Sequence, residues 1–337
     1  MLTVLAGHEQ LDLIKEVLAD MSAADEWLVL FSPEPADEPI HRYFERWAAE
    51  LDEAFDALHA NGARQARWAK AWTLSSATTP GRPSFARAEG PTDAFLAWVD
   101  GVAARLEAVA IPVVLVAVVD ESTRIEIRDA LRRCASAIGA TRARLVVLEA
   151  GPRSLFADES LFRSLERAAD QPAVSPRKRM RRLLEAADLA SFCGKHHEAM
   201  ELVKKARSLA NTEGDLVVTA LHSGRVLFHA GEVDLAVFAY ERGMELGLEA
   251  AEEVRPGVSA ELIVGMADCG AAKDQLAEAD GLYDLAAYLY RQAGNEVGTA
   301  SINFRRSDVL RRTRRLRAAK ATVRAALELA LGARLGR

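Results

Sequence analysis

The C-terminal half of the chain repeats a pattern of small and bulky side chains at helical spacing. Four times a small residue is followed, seven positions later, by a second small residue, with a bulky residue between them. The four triplets are Ala199/Val203/Ala206, Ala236/Tyr240/Gly243, Ala279/Tyr283/Ala286 and Ala319/Val323/Ala326. Residues four and seven positions apart lie on one face of an α-helix, so each triplet predicts a helix face that packs closely against a partner helix. The triplets recur about every 40 residues, a period typical of stacked helical repeats.

Aligned on these positions, the units resemble tetratricopeptide repeats. Tyr240 and Tyr283 match the aromatic position of the family's second helix, and Gly224 matches the small residue of its first helix. Gly194 and Gly231 fall at the turn between the two helices. The usual tryptophan of the first helices and the proline near the end of each unit are missing. The resemblance implies an all-α, tetratricopeptide-like solenoid over residues 177–337.

The resemblance also implies a ligand groove, because tetratricopeptide arrays bind peptides with one face of their first helices. Carried over to this sequence, the groove positions are Asp188, Phe192, Leu221, Arg225, Phe228, His229, Asp268, Asp308 and Arg312. This mixture of charged and aromatic side chains suits a peptide. The Lys and Asn pattern with which some members bind a C-terminal carboxylate is not present. Alternatively, Phe192 and Phe228 belong to the core between repeats, because aromatic residues at helical spacing usually pack inside a protein.

The first half of the chain alternates between strand-like and helical patterns. Short apolar segments that predict strands occur at 27–31, 68–74, 112–119 and 144–148, and amphipathic segments between them predict helices. This alternation predicts an α/β domain over residues 1–170, with a largely parallel sheet flanked by helices. Residues 171–176, which include two prolines and no apolar run, are predicted to be a linker.

The first half also resembles the nucleotide-binding core of signal-transduction ATPases that carry such repeats behind them. Residues 7–18 resemble that family's entry helix, and 113–121, reading VVLVAVVDE, resemble its strand ending in an acidic pair that positions magnesium and water. A phosphate-binding loop would read GxxxxGK[ST], but residues 32–39 read SPEPADEP. Three prolines lack backbone donors, and three acidic residues would repel a triphosphate. The resemblance therefore implies a degenerate domain that binds no nucleotide and needs no cofactor.

Few other residues indicate catalysis. Asp120 and Glu121 follow a predicted buried strand, where open α/β sheets place their ligands, so one interpretation is a metal-binding or general-base role. The alternative is a helix N-cap. The sequence CGKHH at 193–197 has no second cluster nearby, and no serine lies in a GxSxG motif, so neither a metal site nor a hydrolase is predicted.

The composition is that of an ordinary globular protein, with 337 residues of which 50% are hydrophobic and 27% charged. The longest apolar run, at 111–119, is about half the length of a membrane-spanning helix, and the first residues lack the features of a signal peptide. The three cysteines have no CxxC spacing, which predicts buried free thiols. These features predict a cytoplasmic protein that does not bind a membrane.

The formal net charge of −6 is unevenly distributed. Acidic residues predominate before position 60, and basic residues cluster at 177–182 and 305–320. This asymmetry indicates contacts of the basic segments with acidic groups of the same protein or of a partner, unless the charges only cover solvated helix faces.

Together these patterns predict a non-enzymatic scaffold or adaptor, in bacterial-type signalling or defence, whose repeat groove binds a protein partner. Self-association is a further option. One alternative is a nucleic-acid-binding regulator that uses 177–182 and 305–320, although no DNA-binding motif is present and no aromatic residues alternate with the arginine pairs. Another alternative is a divergent NTPase-like enzyme that uses Asp120 and Glu121.

Overall fold

The structure is a computed structural model in which the chain divides into two compact units, Met1–Phe156 and Ala157–Arg337. It describes residues 2–6, 8–23, 28–32, 39–59, 90–107, 113–119, 123–137, 143–150, 159–171, 174–249 and 256–332. These residues form four strands and thirteen helices.

The first unit contains a small parallel sheet. Its strands are β1 (Leu2–Ala6), β2 (Leu28–Phe31), β3 (Val113–Val119) and β4 (Arg144–Ala150). Their order in the sheet is β1-β4-β3-β2, and every neighbouring pair is parallel. Both faces of β3 are buried, as expected for a sheet covered on two sides.

Four helices of the first unit connect these strands. They are α1 (His8–Ala23), α2 (Ile40–His59), α3 (Pro91–Glu107) and α4 (Ile125–Ala137). One face of α2 places Tyr43, Phe44 and Trp47 in the core, where Phe95 of α3 stacks on Phe44 with ring centroids 4.7 Å apart. One face of β3 and β4 packs in the same cluster.

The large α/β domain predicted for residues 1–170 is not supported. The predicted strand 68–74 lies outside the described residues, and β1 was not predicted. Helix α5 (Glu159–Ala169) belongs to the second unit, since Phe162 is fully buried among residues of that unit such as Met180 and Leu184. Along the chain, the boundary between the two units falls between residues 156 and 157. The predicted linker 171–176 belongs to the second unit.

The second unit consists of helices stacked in consecutive pairs. After α5 come α6 (Pro176–Phe192), α7 (His196–Arg207), α8 (Glu213–His229), α9 (Val233–Glu249), α10 (Pro256–Ala272), α11 (Leu276–Gln292), α12 (Glu296–Arg312) and α13 (Leu316–Gly332). Each of α6, α8, α10 and α12 packs against the helix that follows it, and α6, α8 and α10 also pack against the first helix of the next pair. This arrangement is a helical-repeat fold, in the part of the chain where the small-residue pattern predicted one.

The same three-residue turn joins the two helices of every pair. Its central residue has a positive φ in all four turns, and that residue is Gly194, Gly231, Asp274 or Arg314. In each turn the next residue donates its N–H to the carbonyl five positions earlier, at 2.8 to 2.9 Å, which is the C-terminal capping bond of a Schellman motif. The alanine that starts each triplet, five residues after the central residue of the turn, is fully buried.

Among the described residues, no helix is both long enough and apolar enough to cross a membrane.

Candidate functional site

A cavity of about 430 Å³ lies along the even-numbered helices of the second unit. Side chains of α6, α8, α10 and α12 line it, together with two tyrosines of the odd-numbered helices, Tyr240 and Tyr290. We call this cavity the first-helix groove. Six of the nine residues predicted from the resemblance line it, namely Asp188, Phe192, Arg225, Phe228, His229 and Asp268.

The other three predicted residues lie elsewhere. Leu221 is 2% exposed and belongs to the core around Tyr240. Arg312 donates to the Ala271 carbonyl at 2.9 Å and to Asp274 at 2.8 Å, whereas Asp308 accepts from Arg311 at 2.8 Å. Neither Asp308 nor Arg312 is among the described residues that line the groove.

An ion-pair network in the groove joins three helices. Asp188 Oδ2 accepts from Arg225 at 3.1 Å, and Asp188 Oδ1 lies 2.8 Å from His222 Nδ1. Arg225 also pairs with Glu261, so its guanidinium links α6, α8 and α10. Burial favours the neutral form of Asp188, but the hydrogen bond from His222 and the charge of Arg225 outweigh this effect and lower its pKa.

A second network joins α10, α11 and α12. The hydroxyl of Tyr283 donates to Asp268 at 2.5 Å, and Arg305 pairs with the other oxygen of the same carboxylate. The charge of Asp268 is the main cause of the raised pKa of Arg305. Burial, followed by the negative charge of Asp268, raises the pKa of Tyr283, so this tyrosine remains a hydrogen-bond donor.

The two networks repeat one contact. In each, an aspartate on the first helix of one pair contacts a basic side chain on the first helix of the next pair. The basic residue lies three positions before the residue that is equivalent to the aspartate in the aligned repeats. Asp188 and His222 make this contact in one case, and Asp268 and Arg305 in the other. Arg305 was predicted only as part of the basic segment 305–320, although this offset in the aligned repeats was a signal that would have placed it in the groove.

Aromatic side chains form one wall of the groove. The rings of Phe192 and His229 lie 4.8 Å apart, and Phe228 packs against the core around Tyr240. Phe192 is 36% exposed. Burial lowers the pKa of His229, whose Nδ1 lies 3.2 Å from the Ser191 hydroxyl. Phe228 therefore contributes both to the core and to the groove, while Phe192 is the more accessible of the two rings.

Tyr240 fits between two helices because each has a glycine where the ring passes. A Cβ built at Gly224 of α8 would lie 2.7 Å from Tyr240 Cδ1, and one built at Gly265 of α10 would lie 2.6 Å from Cε2. Such distances are well below the roughly 3.5 Å at which carbon atoms make favourable contact. Tyr240 and Tyr290 were not predicted to line the groove, because both lie on second helices and the groove positions of the family lie on first helices.

The basic segments are paired with acidic residues of their own unit. Arg306 donates to Asp280 at 2.6 Å and also contacts Asp284, and Arg315 donates to Asp280 at 2.8 Å. In the earlier segment, Arg179 donates to Asp170 at 2.7 Å. In these contacts, carboxylates neutralise arginines on which a nucleic-acid interface would depend.

The remaining sequence candidates add no site. Asp120, Glu121 and most of the segment 32–39 lie outside the described residues. In the part of the chain that is described, no three His, Cys, Asp or Glu residues are grouped as a metal site. Cys134 and Cys269 are buried free thiols as predicted, and burial raises the pKa of each to about 12. Cys193 is only half-buried, contrary to the prediction, because it caps the C-terminal end of α6 at a turn.

The second unit is thus defined by a helical-repeat fold with a charged and aromatic groove along one set of helices. Compared with models of protein families and with curated proteins, the chain matches none. The geometry of the groove therefore provides the basis for the functional argument.

Proposed function

We propose that the protein is a non-enzymatic interaction scaffold whose divergent tetratricopeptide-like repeats bind a segment of a protein partner in the first-helix groove. The observation that carries this proposal is the cavity itself, which is lined by side chains from α6, α8, α10 and α12. A continuous surface of this kind offers successive subsites to an extended chain, which is how repeat proteins recognise their ligands.

The side chains of the groove suit a peptide. A guanidinium has five N–H donors, and the two ion pairs of Arg225 use two different nitrogens. Its remaining donors are suited to peptide carbonyls or carboxylates. Phe192 supplies a partly exposed ring beside these polar groups, and aromatic and arginine side chains are the residues that contribute most to protein interfaces.

The networks also hold the groove in shape before a ligand arrives. Asp188 and Glu261 fix the Arg225 side chain, and Asp268 fixes Arg305. Side chains that are already ordered lose less conformational entropy on binding, so such a groove gains affinity from preorganisation. In this proposal the first unit serves as a recognition or assembly module without nucleotide, and the protein acts in cytoplasmic signalling.

The proposal is tested by selecting binders from a random peptide library displayed on phage, with the whole protein as bait. Selected peptides are then titrated by calorimetry against the wild type and against Phe192→Ala and Arg305→Ala. Each substitution is expected to weaken binding by about 2 kcal/mol if its side chain is a hot spot.

The matched control is Tyr288→Ala, which removes an exposed ring on α11 that lies outside the groove. This variant is expected to keep full affinity, and the melting temperatures of all variants are measured in parallel. Peptides whose affinity is unchanged by both groove substitutions would contradict the proposal, as would a loss of affinity that follows a loss of folding.

A further inference from the structure

A second cavity, of about 330 Å³, lies between the odd-numbered helices α7 and α9, with α8 as its floor. It shares no lining residue with the first-helix groove. Met200 and Val203 line it from α7, and Leu235 and Phe238 line it from α9. We call this cavity the α7–α9 cleft.

Two large apolar residues of α9 in this cleft are exposed. Phe238 is 69% exposed and Leu235 is 54% exposed. The repeat fold does not require large apolar side chains here, because the positions equivalent to Phe238 in the neighbouring odd-numbered helices are Glu201 in α7 and Gly281 in α11. Large exposed apolar side chains that the fold does not need are typical of interaction sites.

The charged residues of the cleft are all basic. Lys204 and Arg207 lie on α7 and Arg242 lies on α9, and no acidic residue is among the described residues that line the cleft. Lys204 and Arg242 each pair within their own helix, with Glu201 at 2.7 Å and Glu245 at 2.9 Å. Such exposed pairs contribute little to stability, so a carboxylate of a partner can replace them at little cost. Arg207 has no ion-pair partner within the described ranges.

We propose that the α7–α9 cleft docks an acidic amphipathic helix of a partner protein. The cleft runs between two helices, and a third helix can place an apolar stripe between Phe238 and the residues of α7. Its acidic face would then meet Lys204, Arg207 and Arg242. This second interface is independent of the first-helix groove, so one protein of this kind could hold two partners at once.

The test uses fluorescence anisotropy with the whole protein and two labelled synthetic peptides of about 15 residues. Both peptides have a leucine stripe on one helix face, and the opposite face has glutamate in one peptide and lysine in the other. The glutamate peptide is expected to bind, and its affinity should fall as salt is added, because the attraction is between exposed charges. The lysine peptide is expected not to bind.

Two substitutions locate the binding surface. Phe238→Ala and Arg207→Glu should each weaken binding of the glutamate peptide about tenfold or more. Both side chains are exposed, so the melting temperature should not change. Leu285→Ala removes another exposed apolar side chain, on α11, and Phe192→Ala alters the first-helix groove, and both variants should bind like the wild type.

Equal binding of the two peptides, or the absence of saturable binding, would overturn the proposal. So would a loss of binding caused by Phe192→Ala, which would move the peptide to the first-helix groove. Sedimentation of the free protein measures its oligomeric state. If the protein forms dimers that Phe238→Ala abolishes, the cleft contacts a second copy of this chain, and the acidic partner is ruled out.

Discussion

The fit of Tyr240 between two glycines gives the sharpest test of the packing in the second unit. Replacing Gly265 by alanine adds a Cβ only 2.6 Å from Tyr240 Cε2, and the ring cannot retreat because Gly224 of α8 bounds its other side. Overpacking of this kind typically costs about 1–3 kcal/mol. The same substitution at an open helix position gains about 0.5–1 kcal/mol, since alanine loses less backbone entropy than glycine. We therefore expect Gly265→Ala to destabilise the protein by about 1–2 kcal/mol.

Changing the ring should reverse this effect. Tyr240→Leu removes the distal ring atoms that the new Cβ would meet, so in that background Gly265→Ala should be neutral or stabilising by up to about 1 kcal/mol. The double-mutant cycle should therefore give a coupling of about 2 kcal/mol. Tyr240→Phe keeps the ring, and in that background Gly265→Ala should cost as much as in the wild type.

The measurement is urea unfolding followed by circular dichroism of the helices. Gly281→Ala serves as the control, because a Cβ built at Gly281 on α11 meets no side chain and no neighbouring element within 4 Å. This substitution should stabilise every background alike. A clash between residue 265 and the ring is refuted if Gly265→Ala has the same effect, within about 0.5 kcal/mol, with tyrosine and with leucine at position 240.

Three further predictions concern the turns, the groove and the boundary between the units. Arg314→Gly should stabilise the protein by about 0.5–1 kcal/mol, because Arg314 has a positive φ that glycine adopts more easily. Gly231→Ala should cost about 1 kcal/mol, because Gly231 also has a positive φ, although a new Cβ there meets no neighbouring atom. Urea unfolding measures both effects. Burial lowers the pKa of His229 in the folded state, so the unfolded state binds more protons and stability should fall as pH drops below about 6.5. His229→Gln should reduce the fall of the melting temperature at acidic pH. A pH profile equal to that of the wild type would contradict a role of His229 in this fall. A fragment that starts at residue 157 should melt higher than one that starts at 177, since the shorter fragment loses Phe162, a buried side chain worth about 3 kcal/mol or more.

The helical repeats could be predicted from the sequence because their signal is local. The triplet around Tyr240 reports helix periodicity over seven residues, and Gly231 marks the turn before it. The turn at Arg314 has the same geometry without a glycine, so only its place in the aligned repeats indicates it. The sheet of the first unit was harder to predict, because the pairing of β1 with β4 joins residues separated by most of that unit.

The contacts inside the groove could not be predicted from the sequence. Positions on the first helices could be carried over one by one, and Asp188 and Arg225 line the cavity. What those residues do there depends on neighbours that come from other repeats. Arg225 contacts Glu261 only because α8 and α10 lie side by side, and the ring of Tyr240 reaches the groove only because Gly265 leaves room for it. The charge that a ligand meets is therefore set by pairs formed between repeats, and a single groove substitution changes two subsites at once. This coupling is a physical reason to expect non-additive effects when neighbouring groove residues are replaced together.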